Sequence, residues 1–183
     1  MLYAVLNINA LGEDEFKKYY SLMPEERKNK CDRLSSLKDK KLCIGAYFLL
    51  CQIVGEDRIN LCYSQTGKPY IKDNPFYVNI SHSGDYAAAA AADFPVGIDI
   101  ETVSNVKDSV IKRVCTDNEI KYINETGIES FYKIWTYKEA YFKMTGEGIG
   151  AGLKNIDYTK RNKQVISLIQ DGYALCIINN TMT

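Results

Sequence analysis

The sequence predicts an α+β protein made of two similar halves, each with a long helix packed on a small antiparallel sheet. Short β-rich segments are interspersed with helical ones along the 183 residues, which favours a mixed architecture. In each half a long helical segment ends at a glycine, Gly55 or Gly146, and predicted strands follow it. We therefore expect subdomains spanning residues 1–95 and 96–183, related by a pseudo-two-fold, with a ligand cleft at their seam.

The first half is predicted to begin with a strand over Leu2–Asn9, where β-favouring residues alternate. A serine cap and Gly55 delimit a long helix over Ser36–Val54. The six alanines of Ala87–Ala92 favour helix by propensity, but turn residues bound them closely, so we predict a strand. The other predicted elements are helices over Glu13–Tyr20 and Pro24–Leu34 and strands over Ile59–Tyr63 and Phe76–Ile80.

The second half is predicted to begin with a strand over Val96–Glu101. The pattern of Thr116 followed by Glu119 is a capping box that starts a short helix. A long helix over Glu129–Thr145 ends at Gly146, and a glycine-rich connector over Gly146–Gly152 follows it. The remaining predicted elements are a helix near Val106–Val114 and strands over Leu153–Tyr158, Gln164–Ile169 and Tyr173–Ile178, with a turn at Lys160–Lys163.

Composition and charge exclude several function classes. Lys plus Arg equals Asp plus Glu, 23 against 23, so nothing favours general nucleic-acid binding. The chain has one histidine, His82, which excludes His-rich zinc sites.

Targeting features point to the cytoplasm. The N-terminus has no basic start followed by an apolar run, and the Leu42–Gly55 stretch is too short to span a bilayer. Six cysteines lack any CxxC pair, which is typical of reduced thiols. We expect a cytoplasmic protein with no membrane partner.

Two carboxylates, Asp99 and Glu101, lie two residues apart on a predicted strand and therefore share a face. Oxygen donors on a rigid strand suit a hard cation such as Mg²⁺. A solvated strand face is the alternative interpretation.

Three further side chains recur every four residues on the long second helix: Trp135, Glu139 and Lys143. They share a helix face. Glu139 and Lys143 could form only a surface ion pair, although an exposed tryptophan beside them favours a functional face.

Polar and basic segments of the first half could bind an anion. The hydroxyls, imidazole and loop amides of Ser81–Asp85 suit a phosphate, and a polar turn with a structural histidine is the alternative. A basic run over residues 27–41 could also hold an anion or be a solvated face.

The ordered set of motifs resembles the 4′-phosphopantetheinyl transferase superfamily. The segments that carry the resemblance are Gly67–Pro69, Val78–Ser83, Gly97–Glu101 and Trp135–Lys143. The long segment before Gly97 is similar to the surfactin-synthetase-activating type, a single chain of two similar halves. The resemblance implies that fold, with a cleft site between the halves.

The resemblance also implies a reaction and its partners. Such enzymes move the 4′-phosphopantetheine group of coenzyme A to a serine of an acyl or peptidyl carrier protein, releasing adenosine 3′,5′-bisphosphate. It implies one Mg²⁺ held by Asp99, Glu101 and Glu139. Glu139, or a water on the metal, would be the base, which makes Asp99, Glu139 and Lys143 the catalytic residues.

The coenzyme contacts are likewise implied by the resemblance. Lys143, with Lys138 as a second candidate, would contact the transferring phosphate, and Ser81 and His82 would contact a coenzyme phosphate. Trp135 would line the pantetheine or brace its helix. Residues assigned to the nucleotide side are Lys68 and Pro69 at its border and Arg27, Lys30 and Lys41 at the 3′-phosphate.

Two other functions stay open at this point. A Mg²⁺-dependent hydrolase of a nucleotide pyrophosphate would use the same carboxylates and lysines without a carrier protein. A non-catalytic coenzyme-A-binding module is the other, although an intact set of four charged site residues argues against it. We expect a monomer with pseudo-dimeric halves and no nucleic-acid partner.

Overall fold

The first half of the chain forms three helices and a five-stranded antiparallel sheet in the computed structural model, which describes residues 1–148, 152–161 and 164–180. In chain order its elements are β1 (Leu2–Asn7), α1 (Glu13–Leu22), α2 (Glu25–Asp32), α3 (Leu37–Val54), β2 (Leu61–Tyr63), β3 (Pro69–Ile71), β4 (Tyr77–Ser83) and β5 (Tyr86–Ala92). The sheet order is β1-β5-β4-β3-β2. Helix α3 begins at the predicted Ser36 cap and ends at Gly55, whose φ of 80° is left-handed.

The second half has a smaller antiparallel sheet covered by one long helix. Its elements are β6 (Val96–Thr102), α4 (Asp108–Val114), α5 (Asp117–Thr126), α6 (Glu129–Thr145), short 3₁₀ turns at Leu153–Asn155 and Tyr158–Lys160, β7 (Gln164–Gln170) and β8 (Tyr173–Asn179). The strand order is β6-β8-β7. The capping box of Thr116 and Glu119 begins α5 as predicted, and α6 has the predicted bounds.

The two sheets pack face to face between the long helices. On β5, Ala87 and Ala89 pack in the core that includes α3, whereas Ala88 and Ala90 pack against Ile98 and its neighbours in the second sheet. Strand β5 is therefore buried on both faces, and small side chains let both neighbouring layers approach it. The α+β class and the predicted alanine strand are confirmed.

Two predicted elements differ from the structure, and one strand was not predicted. The predicted strand Leu153–Tyr158 is wrong, because the segment forms 3₁₀ turns, one capped by the Asp157 side chain, which accepts a hydrogen bond from the Thr159 amide. Strand β4 runs through the predicted turn as far as Ser83, because residues 81–83 pair with β5. Strand β3 was not expected.

Two predicted loops lie partly outside the described residues: the connector Gly146–Gly152 and the turn Lys160–Lys163. The pseudo-two-fold and the subdomain boundary at residue 95 stay predictions. Within the described ranges, no helix is long and apolar enough to cross a membrane.

Candidate active site

Side chains of β4 bind the backbone of β6 and so fix the two sheets at one register. Alternation along β4 turns every second side chain toward β6. Three amides of β6 donate to these side chains: Ile98 N to Asn79 Oδ1 (3.2 Å), Ile100 N to Ser81 Oγ (3.3 Å) and Thr102 N to Ser83 Oγ (3.1 Å). The predicted carboxylates of β6 are therefore held beside the Ser81–Ser83 segment of β4.

Helix α6 lies directly on β6 because residue 97 is a glycine. A Cβ at Gly97 would lie 1.9 Å from the carbonyl oxygen of Ala140 and 2.8 Å from the amide nitrogen of Met144. No side chain fits at that distance, so the close contact depends on glycine. This approach brings Glu139 and Lys143 of α6 to the β6 residue Asp99.

Asp99 is the most buried acidic group of the site, at 3% exposure. Its Oδ1 accepts hydrogen bonds from Ser81 Oγ (2.8 Å) and Lys143 Nζ (2.6 Å), and Lys143 Nζ also donates to Ser81 Oγ (2.8 Å). Its Oδ2 is buried and has no hydrogen-bond partner. Burial raises the pKa of Asp99 to about 6, although the Lys143 ammonium opposes the shift.

The second carboxylate of β6, Glu101, has hydrogen bonds to both of its oxygens. Ser83 Oγ donates to Oε2 (2.7 Å), and the indole Nε1 of Trp135 donates to Oε1 (3.3 Å). Trp135 therefore braces Glu101 from α6. Trp135 does not line the pocket described below, and whether it lines the pantetheine or braces its helix stays a prediction.

Glu139 faces the same space from α6 and is 8% exposed. Burial and the negative charges of Asp99 and Glu101 raise the pKa of Glu139 to about 7, with Lys143 acting in the opposite direction. A carboxyl group with a pKa near neutrality can exchange a proton at physiological pH.

A pocket of about 450 Å³ opens beside these groups. Segments from both halves of the chain line it, which matches the expectation of a cleft at the seam. Seven of the predicted site residues lie in its wall: Lys30, Lys68, Pro69, Ser81, His82, Glu139 and Lys143. Partial desolvation and the nearby Lys143 charge lower the pKa of His82.

The wall of this pocket also has residues that sequence reasoning missed. Tyr63, Asn79 and Phe142 line it. Lys30 Nζ lies 4.9 Å from the centre of the Tyr63 ring, a cation–π contact that places the ammonium at the pocket. Asn79 and Phe142 lie inside the Val78–Ser83 and Trp135–Lys143 motifs and could have been found there, whereas Tyr63 had no local signal.

Lys68 connects the turn of the first half to the end of α6. Its Nζ donates a short hydrogen bond to the carbonyl oxygen of Met144, in the last turn of that helix. A cation at a helix C-terminus is favourable because the helix dipole places negative partial charge there. Burial lowers the pKa of Lys68. Lys68, which lines the pocket, thus links a turn of the first half to α6 of the second.

Three predicted coenzyme contacts lie elsewhere. Lys138 is fully buried and forms an ion pair with Glu119 (2.6 Å), so the expected phosphate contact is wrong. Arg27 is 2% exposed and donates to Cys43 O (2.6 Å) and, through a short bond, to the Tyr63 hydroxyl, so it supports Tyr63 instead of reaching the phosphate. Lys41 is half-buried on α3 and does not line the pocket.

The carboxylate set has the chemistry of a hard-cation site. Hard oxygen donors and an orphaned buried Asp99 Oδ2 fit a divalent ion such as Mg²⁺. Across the described ranges, no three side chains of His, Cys, Asp or Glu already lie in a metal-ligating arrangement. The cation that lies beside Asp99 is the Lys143 ammonium, 2.6 Å from Asp99 Oδ1. Ligation by Asp99, Glu101 and Glu139 therefore requires their side chains to converge.

Comparison with known proteins shows which enzymes this chain is similar to. Residues 95–179 match the family model described as "4'-phosphopantetheinyl transferase superfamily". The chain is 29% identical to 4'-phosphopantetheinyl transferase psf-1 of Bacillus pumilus, an alignment that covers 84% of this chain and 71% of that protein. It is 25% identical to 4'-phosphopantetheinyl transferase Sfp of Bacillus subtilis (strain 168), with 97% and 84% covered.

A mammalian protein is also similar. The L-aminoadipate-semialdehyde dehydrogenase-phosphopantetheinyl transferase of Mus musculus is 32% identical, over 75% of this chain and 52% of that protein. Over most of its length the chain is similar to members of the 4′-phosphopantetheinyl transferase superfamily. The family that the motifs predicted, and an enzyme of that class, are confirmed.

Proposed function

We propose that this enzyme transfers the 4′-phosphopantetheine group of coenzyme A to a serine hydroxyl of an acyl or peptidyl carrier protein. The serine oxygen forms a bond to the β-phosphorus of the coenzyme pyrophosphate. The bond from that phosphorus to the bridging oxygen breaks, and adenosine 3′,5′-bisphosphate leaves. The serine proton goes to a base of the enzyme, so atoms and charge balance. Names of the similar proteins support the reaction class.

One observation carries the proposal: a single pocket joins three separated motif segments. Lys68 and Pro69, then Ser81 and His82, then Glu139 and Lys143 come from a turn, a strand and a helix. Three lysines (Lys30, Lys68 and Lys143) and His82 line this pocket together with the carboxylate of Glu139. That lining suits a ligand whose phosphates contact cations and whose reacting phosphorus lies beside a carboxylate.

Glu139 is proposed as the base that accepts the serine proton. Its carboxyl group lies in the pocket wall, and in the metal-free protein its pKa is raised to about 7. Lys143 is proposed to bind the transferring phosphate, because its ammonium lies in the same wall and already binds an anionic oxygen of Asp99. Lys30 and His82 are proposed to bind the coenzyme phosphates.

Mg²⁺ is the proposed metal, held by Asp99, Glu101 and Glu139. When bound, such an ion neutralises charge on pyrophosphate oxygens. Ser81 and Ser83 orient the β6 carboxylates through their hydrogen bonds (2.8 and 2.7 Å). The indole Nε1 of Trp135 donates to Glu101 Oε1, the oxygen that Ser83 does not contact.

The proposal also covers the type of enzyme, its oligomeric state, its location and its division into halves. The surfactin-synthetase-activating type is supported by the coverage of both Bacillus relatives. The monomeric state and the cytoplasmic location rest on the sequence argument. The division at residue 95 would give each half one wall of the pocket, with the nucleotide on the first half.

Incubation of the enzyme with coenzyme A, Mg²⁺ and an unmodified carrier domain tests the proposal. Mass spectrometry of the carrier should show the mass of one phosphopantetheine group added. A matched carrier with its acceptor serine replaced by alanine should gain nothing. Release of phosphopantetheine without any carrier modification would favour the hydrolase. Coenzyme binding without either product would favour the binding module.

A further inference from the structure

A buried ion pair lies on the opposite side of the catalytic helix from the strand β6. Lys138 immediately precedes Glu139 on α6, and Lys138 and its partner Glu119 both have fully buried side chains. Lys138 Nζ donates to Glu119 Oε2 (2.6 Å) and to the carbonyl oxygen of Val114 (2.9 Å). The Glu119 carboxylate also accepts from the amides of Thr116 (2.7 Å) and Tyr158 (2.7 Å).

This network joins α6 to three other segments of the second half. Val114 ends α4, Thr116 caps α5, and Tyr158 begins a 3₁₀ turn. Lys138 is the residue through which α6 takes part in this hydrogen-bond network, and the Tyr137 ring of α6 also packs edge-on against Tyr158 (centroids 5.3 Å apart). A buried ion pair is a weak source of net stability, because desolvation offsets the attraction between its charges. Its strict geometry makes it better suited to fixing a helix at one rotation.

The opposite side of α6 is fixed by Gly97. Successive residues of an α-helix are rotated by about 100° around its axis. Lys138 and Ala140 therefore point in nearly opposite directions, toward Glu119 and toward Gly97 respectively. Glu139 lies between them and faces the pocket. A small rotation of α6 would move Glu139 and Lys143 away from Asp99.

We infer that Lys138, together with Glu119, is a positioning residue that sets the rotation of α6 about its axis and thereby aims Glu139 and Lys143 at the reacting phosphate. This inference rests on the proposed transfer reaction for its catalytic consequence. The claim that Lys138 sets the rotation of α6 can be tested without measuring turnover. Lys138 itself touches neither the pocket nor the carboxylates of β6.

The chain contains one tryptophan, which reports directly on this rotation. Trp135 lies on α6 three residues before Lys138, and its Nε1 donates to Glu101 Oε1. Rotation of α6 would break that hydrogen bond and change the polarity around the indole. Tryptophan emission of the resting enzyme therefore measures helix orientation without substrate.

The test compares wild type, Lys138→Met/Glu119→Gln and Glu119→Gln. In the double variant both charges are removed, and the introduced glutamine amide keeps an oxygen that can accept from the backbone. The exposed pair of Lys121 and Glu125 on α5 provides the control variant Lys121→Met/Glu125→Gln. Circular dichroism and thermal melting select the folded variants before any comparison.

We expect the folded double variant to show a shifted tryptophan emission maximum and a kcat lower by at least tenfold. A displacement of about 1 Å can cost roughly a hundredfold in rate. The KM for coenzyme A should change by less than twofold. Glu119→Gln should show the same changes in smaller size, and the control should match wild type.

Wild-type emission and kcat in either folded variant would overturn the inference, as would a loss confined to melting temperature. If both variants unfold completely, the pair is required for folding, and the inference of a mere positioning role is also wrong. An emission shift in a protein whose wild type transfers nothing to a carrier would keep the structural inference and reject the proposed function.

Discussion

The Cα of Gly97 lies so close to Ala140 that an added Cβ would stand 1.9 Å from the Ala140 carbonyl oxygen. This single contact sets the distance between β6 and α6, and the carboxylates of β6 depend on it for their position beside Glu139 and Lys143. The glycine of the Gly97–Glu101 motif therefore serves the site although it has no side chain.

Gly97→Ala is expected to lower stability and to lower transfer further. The new methyl group meets backbone atoms, which cannot rotate away, so α6 must move; such overpacking costs roughly 1–3 kcal/mol. Denaturant unfolding and transfer kinetics measure both effects. Gly12→Ala serves as a control, because its nearest neighbour would be 3.8 Å away. Equal behaviour of the two variants would contradict the close-contact argument.

Lys143→Met is expected to lower kcat more than it weakens coenzyme binding. A group that acts on charge developing in the transition state has that signature. Lys133→Met provides a control on the same helix, at a residue outside the pocket wall. Steady-state kinetics with calorimetric binding of coenzyme A decide the matter. A change confined to KM would make Lys143 an ordinary binding residue.

Lys30 is expected to recognise the 3′-phosphate, whereas Lys41 is not, since only Lys30 lines the pocket. One charge-assisted hydrogen bond contributes roughly 1.5–3 kcal/mol, about ten- to a hundredfold in affinity. Lys30→Ala should therefore shrink the difference in affinity between coenzyme A and dephospho-coenzyme A by that factor. Lys41→Ala should leave the difference intact. Calorimetry is done with both ligands. The assignment to Lys30 would be wrong if Lys41→Ala removed the difference in affinity between the two ligands and Lys30→Ala did not.

The stability of the protein without divalent ions should fall as the pH rises through about 6 to 7. The pKa values of Asp99 and Glu139 are raised from 3.8 and 4.5 to about 6 and about 7. The folded state thus binds more protons than the unfolded state between those limits. The stabilising contribution is fully present below the ordinary values and is lost as these groups ionise.

Asp99→Asn removes one of these titrating groups and keeps the shape of the side chain. Thermal melts between about pH 5 and pH 8 should therefore show a flatter decline for this variant than for wild type. The exposed Asp14 provides a matched change, Asp14→Asn, that should leave the decline unaltered. Parallel declines in wild type and Asp99→Asn would contradict the raised pKa of Asp99.

Local patterns allowed most of the fold to be predicted from sequence. Caps and glycine stops are local, so both ends of α3 and α6 and the start of α5 were predicted nearly to the residue. The predicted strand Leu153–Tyr158 was wrong because Leu153, Ile156 and Tyr158 are three and two residues apart, which is not the strict alternation of a strand. These side chains pack on the core that includes α6 from 3₁₀ turns.

The site was predictable where a motif supplied its residues and not where a partner was distant in sequence. Ser81, His82, Glu139 and Lys143 meet at one pocket as the motif set implied. Lys138 has the same charge as Lys143 and lies on the same helix. Its buried partners, Glu119 and the carbonyl oxygen of Val114, lie 19 and 24 residues earlier, where no local pattern links them to this lysine.

Transfer of phosphopantetheine to a carrier domain tests the central claim most directly. Wild type and Glu139→Gln are incubated with coenzyme A, Mg²⁺ and the carrier, and intact carrier mass is followed over time. The proposal predicts a carrier heavier by one phosphopantetheine group with wild type, and almost none with the folded Glu139→Gln variant. An unchanged carrier mass with wild type, across both acyl and peptidyl carriers, would contradict it.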